Sequence, residues 1–90
     1  MNYRKGYLRE IKAVHELKRR GYLAFRTAGS KSPFDVVAIS SSEILLLQVK
    51  SGRKNLKGEI RKLKKIKVPK CAKKQLWIFD RTWRILPIPS

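Results

Sequence analysis

The sequence predicts an α/β domain in which a mixed central sheet is flanked by helices. Three observations lead there. An amphipathic helical period opens the chain, apolar strand-like runs separated by turn residues follow, and a second helical period interrupts the strands before the last two. The predicted order is αβββαββ, read as a single domain over residues 1–90.

The first helix is expected from about Gly6 to Arg20, because Tyr7, Ile11, Val14 and Leu17 recur at helical spacing. Gly21 follows as a C-terminal cap, and Lys18, Arg19 and Arg20 place cations where the helix dipole favours them. Tyr22 to Thr27 reads as a strand, Gly29 to Pro33 as a loop and Phe34 to Ile39 as a second strand. Ser40-Ser41-Ser42 makes a turn into a third strand, Ile44 to Lys50, so these two strands form a hairpin. After a break at Gly52 to Asn55, Leu56, Ile60, Leu63 and Ile66 mark a second helix with a basic outer face, which Pro69 ends. Gln75 to Phe79 is a fourth strand and Trp83 to Ile88 a fifth; Pro87 and Pro89 suit an edge position.

Composition narrows the function. Lys and Arg number 23 against 6 Asp and Glu, a formal charge of +17. Such a chain is built to meet a polyanion, and nucleic acid is the first candidate. Eleven of the basic residues fall between Arg53 and Lys74 and read as a surface for phosphate contacts. No apolar run reaches membrane-spanning length, and no secretory pattern opens the chain; the expectation is an intracellular, cytoplasmic and nucleoid-associated protein without a membrane partner. Cys71 is the only cysteine, which excludes an internal disulfide, and it reads as a small apolar filler. Trp77, Phe79 and Trp83 read as core or interface residues.

With carboxylates so scarce, each one asks for a reason. Glu16 falls among basic residues on the solvent side of the first helix, but Glu10 falls inside its apolar stripe, where an unpaired carboxylate is costly. In the hairpin, a turn centred on Ser41-Ser42 sets Ile39 opposite Ile44, Val37 opposite Leu46 and Asp35 opposite Gln48. Lys50 then shares the face of Gln48. If the Glu10 side of the helix packs on that face, Glu10, Asp35, Gln48 and Lys50 converge. Two carboxylates and an amide oxygen suit Mg²⁺ or Mn²⁺, and a lysine beside them suits phosphodiester hydrolysis. The plainer alternatives are a salt bridge from Glu10 to a basic neighbour and a buried ion-pair network of Glu10, Asp35 and Lys50.

A resemblance rests on these same residues. "YRKG" at Tyr3 to Gly6, Glu10 in the helix, "RTAGS" at Arg26 to Ser30, "FDVVA" at Phe34 to Ala38 and "LLLQVK" at Leu45 to Lys50 resemble, in that order, the PD-(D/E)XK nuclease superfamily. Within it, the chain is most similar to the archaeal-type Holliday junction resolvases. The resemblance implies a restriction-endonuclease-like αβββαβ core and an endodeoxyribonuclease that resolves four-way or other branched DNA. It implies Glu10, Asp35 and Gln48 as metal ligands, helped by the carbonyl of Val49, with Mg²⁺ or Mn²⁺ as cofactor. Lys50 would orient the attacking water, and Ser30 would lie near the scissile phosphate. Arg4, Lys5, Arg26, Lys31, Arg53 and Lys54 would contact DNA, and the active form would be a homodimer. Two departures stand out: Gln48 occupies the place where these resolvases usually carry Glu, and the chain is shorter than typical members. The alternatives are a nuclease of the same fold acting on duplex DNA (repair, nicking or homing type) and a catalytically impaired DNA-binding form.

Overall fold

The computed structural model describes residues 2–27, 32–52 and 56–89, with side chains described from Gly6 onward. Seven elements follow the predicted order: α1 Asn2–Arg19, β1 Leu23–Arg26, β2 Val36–Ile39, β3 Ile44–Ser51, α2 Lys57–Lys65, β4 Ala72–Asp80 and β5 Thr82–Ile88. The strands lie side by side in chain order, β1-β2-β3-β4-β5. All neighbours are antiparallel except β3 and β4, which run parallel. Parallel neighbours need a long connection, and α2 is that crossover.

The end of α1 follows from local chemistry. Gly21 adopts φ 95°, a conformation only glycine reaches without strain. There its N–H donates to the Lys18 carbonyl and the N–H of Tyr22 to the Leu17 carbonyl, both at 3.0 Å. This is the Schellman cap, and Tyr22 packs beside the cluster that contains Leu17, completing it. The β2–β3 turn is held by Ser40, whose Oγ accepts the N–H groups of Ser42 and Glu43 at 3.2 Å. The hairpin register is the predicted one for Ile39 opposite Ile44 and Val37 opposite Leu46. The expected Asp35–Gln48 pair is not formed, because the ladder ends at Val36–Leu47 and the Asp35 N–H turns to the Leu47 carbonyl.

Each face of the sheet is covered by one helix. On one side Ala13, Val14 and Leu17 of α1 meet Ala24, Val36, Ala38, Leu45, Leu47, Val49 and Trp77. On the other, Leu63 of α2 meets Phe34, Leu76, Ile78 and Ile88. Leu63 is the one buried residue of α2, with Ile60 packed beside it, so truncation of Leu63 to alanine would cost about 2–5 kcal/mol.

The strand β4 begins three residues before the predicted Gln75, and Lys74 explains why. This lysine is 1% exposed. Its ammonium donates to the carbonyls of Leu63 at 2.7 Å, Lys64 at 3.3 Å and Ile66 at 2.7 Å. It therefore caps the C-terminus of α2, where carbonyls lack intrahelical partners and the dipole is negative. Lys74 must be removed from the expected DNA-facing surface. Cys71 is exposed rather than a filler. Among the described residues no helix is long and apolar enough to cross a membrane.

Candidate active site

The strand β3 outruns β2 at its C-terminal end. The ladder pairs Val36 with Leu47 and stops there, while β3 continues through Gln48, Val49, Lys50 and Ser51. Beside this overhang the edge of β3 facing β2 is open, and Asp35 fills the notch. Its N–H donates to the Leu47 carbonyl at 2.7 Å. Its Oδ2 accepts the N–H of Val49 at 2.9 Å. In an extended strand the N–H and C=O of one residue project to the same edge, so the Val49 carbonyl also faces the notch. Thr27 steadies Asp35 from the other side: its N–H donates to the Asp35 carbonyl at 3.1 Å and its hydroxyl to the Phe34 carbonyl at 2.8 Å.

Strand alternation then fixes the faces. Leu45, Leu47 and Val49 point toward α1. Gln48 and Lys50 point the other way, in register with Leu76 and Ile78 of the α2-side core. The expectation that the Glu10 side of the helix would pack on the Gln48 face is therefore incorrect: α1 covers the opposite face. Small residues at Ala24 and Ala38 let the helix settle there. Glu10 and Lys50 are nonetheless linked to Asp35 through their charges. The charge of Glu10 acts on the Asp35 carboxyl from the α1 side, and those of Lys50 and Arg26 also reach it.

The electrostatics of Asp35 are unusual for this molecule. Burial pushes its carboxyl above the ordinary aspartate range; the Val49 N–H opposes that shift, the negative charge of Glu10 adds to it, and Lys50 and Arg26 draw it back. Three other carboxylates are directly neutralised. Glu10 Oε1 lies 2.8 Å from Arg26 Nε. Glu16 is paired with Arg19 and Arg20, whose hydrogen bonds hold it below the usual range. Glu43 accepts from the Tyr22 hydroxyl and pairs with Lys73 at 3.0 Å. Asp35 has no such cation within ion-pair distance among the described residues.

The donor set fits a hard divalent cation. It offers a half-buried carboxylate without a paired cation, a second carboxylate whose charge disfavours ionisation of the first, and an exposed strand edge with a free carbonyl.

Two site features were not visible in the sequence. Arg26, expected only as a DNA contact, is the partner of Glu10. Tyr7, expected in the core, is 45% exposed and lies under the Arg26 guanidinium at 4.4 Å from the ring centre. Aromatic and cation here brace each other. The expected residues Ser30, Lys31, Arg53 and Lys54 lie outside the described residues, as do the side chains of Arg4 and Lys5.

The fold is that of an α/β domain with a mixed five-stranded sheet. Over residues 1–85 the chain matches the family model described as archaeal Holliday junction resolvase (Hjc), and it belongs to that family. Among solved structures it is similar to Hjc of Archaeoglobus fulgidus, described as a Holliday junction resolvase from an archaeal hyperthermophile. The identity is 28%, the match covers 93% of this chain and 73% of that chain, and the TM-score is 0.63. No curated protein matched the chain.

Proposed function

We propose that this chain is a divalent-metal-dependent endodeoxyribonuclease that resolves four-way or other branched DNA junctions by phosphodiester hydrolysis. The observation that carries this reading is Asp35: a half-buried carboxylate, tied to the edge of β3 and in reach of the charges of Glu10 and Lys50. Membership of the resolvase family and the +17 charge supply the substrate class.

Asp35, Glu10, the Gln48 oxygen and the Val49 carbonyl would hold Mg²⁺ or Mn²⁺. When bound, the cation supplies Lewis-acid activation of water and neutralises charge on the phosphate. The remaining work belongs to the chain. The Val49 N–H fixes the Asp35 carboxylate in one orientation. Lys50, on the same strand, orients the attacking water and steadies charge on the phosphate. Arg26, held at the notch by Glu10 and Tyr7, offers a planar donor to the DNA strand. Ser30 is assigned to the scissile phosphate, and Arg4, Lys5, Lys31, Arg53 and Lys54 to the flanking backbone. Such contacts read shape and charge rather than bases.

A homodimer belongs to this reading. Leu23 is 64% and Phe25 45% exposed on the edge strand β1. By register Leu23 continues into Ile39 and Ile44, and Phe25 into Val37 and Leu46. These six residues form one apolar field on the α2 side of the sheet, suited to a second copy of the chain.

The test is cleavage of a four-way junction with Mg²⁺ or Mn²⁺, beside linear duplex. Junction cutting that disappears in Asp35→Ala and Lys50→Ala is expected; cutting unchanged in both would refute the site. A binding-only form is the second reading, favoured by Gln48, which offers an oxygen without the charge of a carboxylate. Tight junction binding with neither cutting nor Asp35-dependent Mn²⁺ binding would establish it.

A further inference from the structure

A second concavity lies at the same end of the sheet, on the α1 face. It has a volume of about 310 Å³ and is lined by Leu8, Arg9, Lys12, Ser51 and Phe79. Ser51 and Phe79 are register partners at the C-terminal ends of the parallel strands β3 and β4. The carboxyl ends of parallel strands are where α/β sheets commonly take ligands. Ser51 directly follows Lys50, so the concavity and the notch flank the end of one strand.

Its two cations have no acidic partner among the described residues. Arg9 Nε is buried without a hydrogen-bond partner among the described residues, a state that costs free energy until a partner arrives. Lys12 is held with its ammonium 4.3 Å above the centre of the Phe79 ring. Neither forms an ion pair among the described residues, whereas Arg19, Arg20, Arg26 and Lys73 all do. The walls are apolar: Leu8 is exposed, and Phe79 is fixed edge-on against Trp83 at 5.0 Å. Two unpaired cations and a hydroxyl beside an apolar wall match one nucleotide unit, with its phosphate on the cations and its deoxyribose on the wall.

Spacing supports the match. Neighbouring strands are about 4.8 Å apart, so the concavity lies roughly one to two strand spacings from the notch. A DNA strand crossing the end of β3 with one phosphate in the notch therefore carries a neighbouring phosphate toward Arg9 and Lys12.

We infer that Arg9, Lys12 and Ser51, with the Leu8–Phe79 wall, form a subsite for a backbone phosphate flanking the scissile one on the same DNA strand. This deepens the nuclease reading and rests on it. The subsite positions the strand; its residues do not touch the reacting atoms.

The test pairs protein variants with neutralised phosphates. Junctions carrying a single methylphosphonate at successive positions around the cut are titrated with wild-type protein, Arg9→Gln and Lys12→Gln, without metal to prevent cutting. One position flanking the scissile phosphate should cost the wild type about five- to tenfold in affinity, and cost Arg9→Gln or Lys12→Gln less than twofold. Each variant should also lower the slope of log affinity against log salt by about one. Urea denaturation verifies that the variants fold, and an effect in either one suffices. Variants that keep the wild-type sensitivity at every position overturn the subsite but leave the nuclease reading standing. A wild type that does not bind junctions overturns both.

Discussion

Asp35 is bound by its side chain to the main chain of the strand that carries Gln48 and Lys50, through the 2.9 Å hydrogen bond from the Val49 N–H to Oδ2. Any tilt of β3 thus moves the carboxylate with it, and the relative placement of these groups survives small motions. Such anchoring is what a site needs if its charges must meet a phosphate in fixed geometry.

Burying the anchored carboxylate has a cost in stability, which the Val49 N–H only partly offsets. Burial, reinforced by Glu10, raises the Asp35 carboxyl in the folded state. A raised folded-state value means that protonation favours folding: the benefit is full below the unfolded value of about 3.9 and is lost as pH rises through the folded value. Asp35→Asn keeps an oxygen for the Val49 N–H and removes the charge. It should be more stable than wild type by up to about 1 kcal/mol at pH 7, with the gap closing toward pH 3, while losing cleavage. Urea denaturation in EDTA across that range measures it; an Asn variant less stable at pH 7 would contradict the assignment.

Gln48 supplies an oxygen without charge. Gln48→Glu should tighten Mn²⁺ binding about tenfold, or roughly 1.4 kcal/mol, and lower the stability of the metal-free protein by crowding a third carboxylate near Glu10 and Asp35. Calorimetric titration with Mn²⁺ and melting in EDTA test both effects. Unchanged affinity would place Gln48 outside the metal site.

Lys74 and Lys73 are neighbours with opposite fates. Lys74→Met leaves the carbonyls of Leu63 and Ile66 without their donor and should cost roughly 2–3 kcal/mol. Lys73→Met, at an exposed pair with Glu43, should cost less than about 1 kcal/mol. Equal midpoints in urea for the two variants would refute the cap.

The apolar field on β1, β2 and β3 predicts its own test. Phe25→Lys places a charge on the exposed edge of that surface and should convert a dimer into a folded monomer in sedimentation experiments, with the far-ultraviolet circular dichroism unchanged. A wild type that sediments as a monomer at high concentration would remove the dimer from the model of action.

Much of this architecture could be read from residues alone. The hairpin register was legible because Ser40 to Ser42 fixes the turn and alternation then fixes every pair as far as Leu47. Asp35 and Lys50 could be linked for the same reason. The face covered by α1 was not legible, because β3 is apolar on both faces: Leu45, Leu47 and Val49 on one, Ile44 and Leu46 on the other. Only the close approach permitted by Ala24 and Ala38 decides between them. Nor does any local pattern separate Lys74 from Lys73; the distinction arises from α2 ending above one of them.

The parallel seam between β3 and β4 has a consequence for how the chain assembles. Every antiparallel pair joins strands that follow each other in sequence, so each can zip from a local turn. The seam alone waits for the loop through α2 to close, and loop closure must precede its reward. Glu10, Arg26, Asp35, Gln48 and Lys50 all precede it, whereas the Phe79 wall comes after it. The notch thus belongs to the early-forming half, and completion of the groove beside it reports the last joining step.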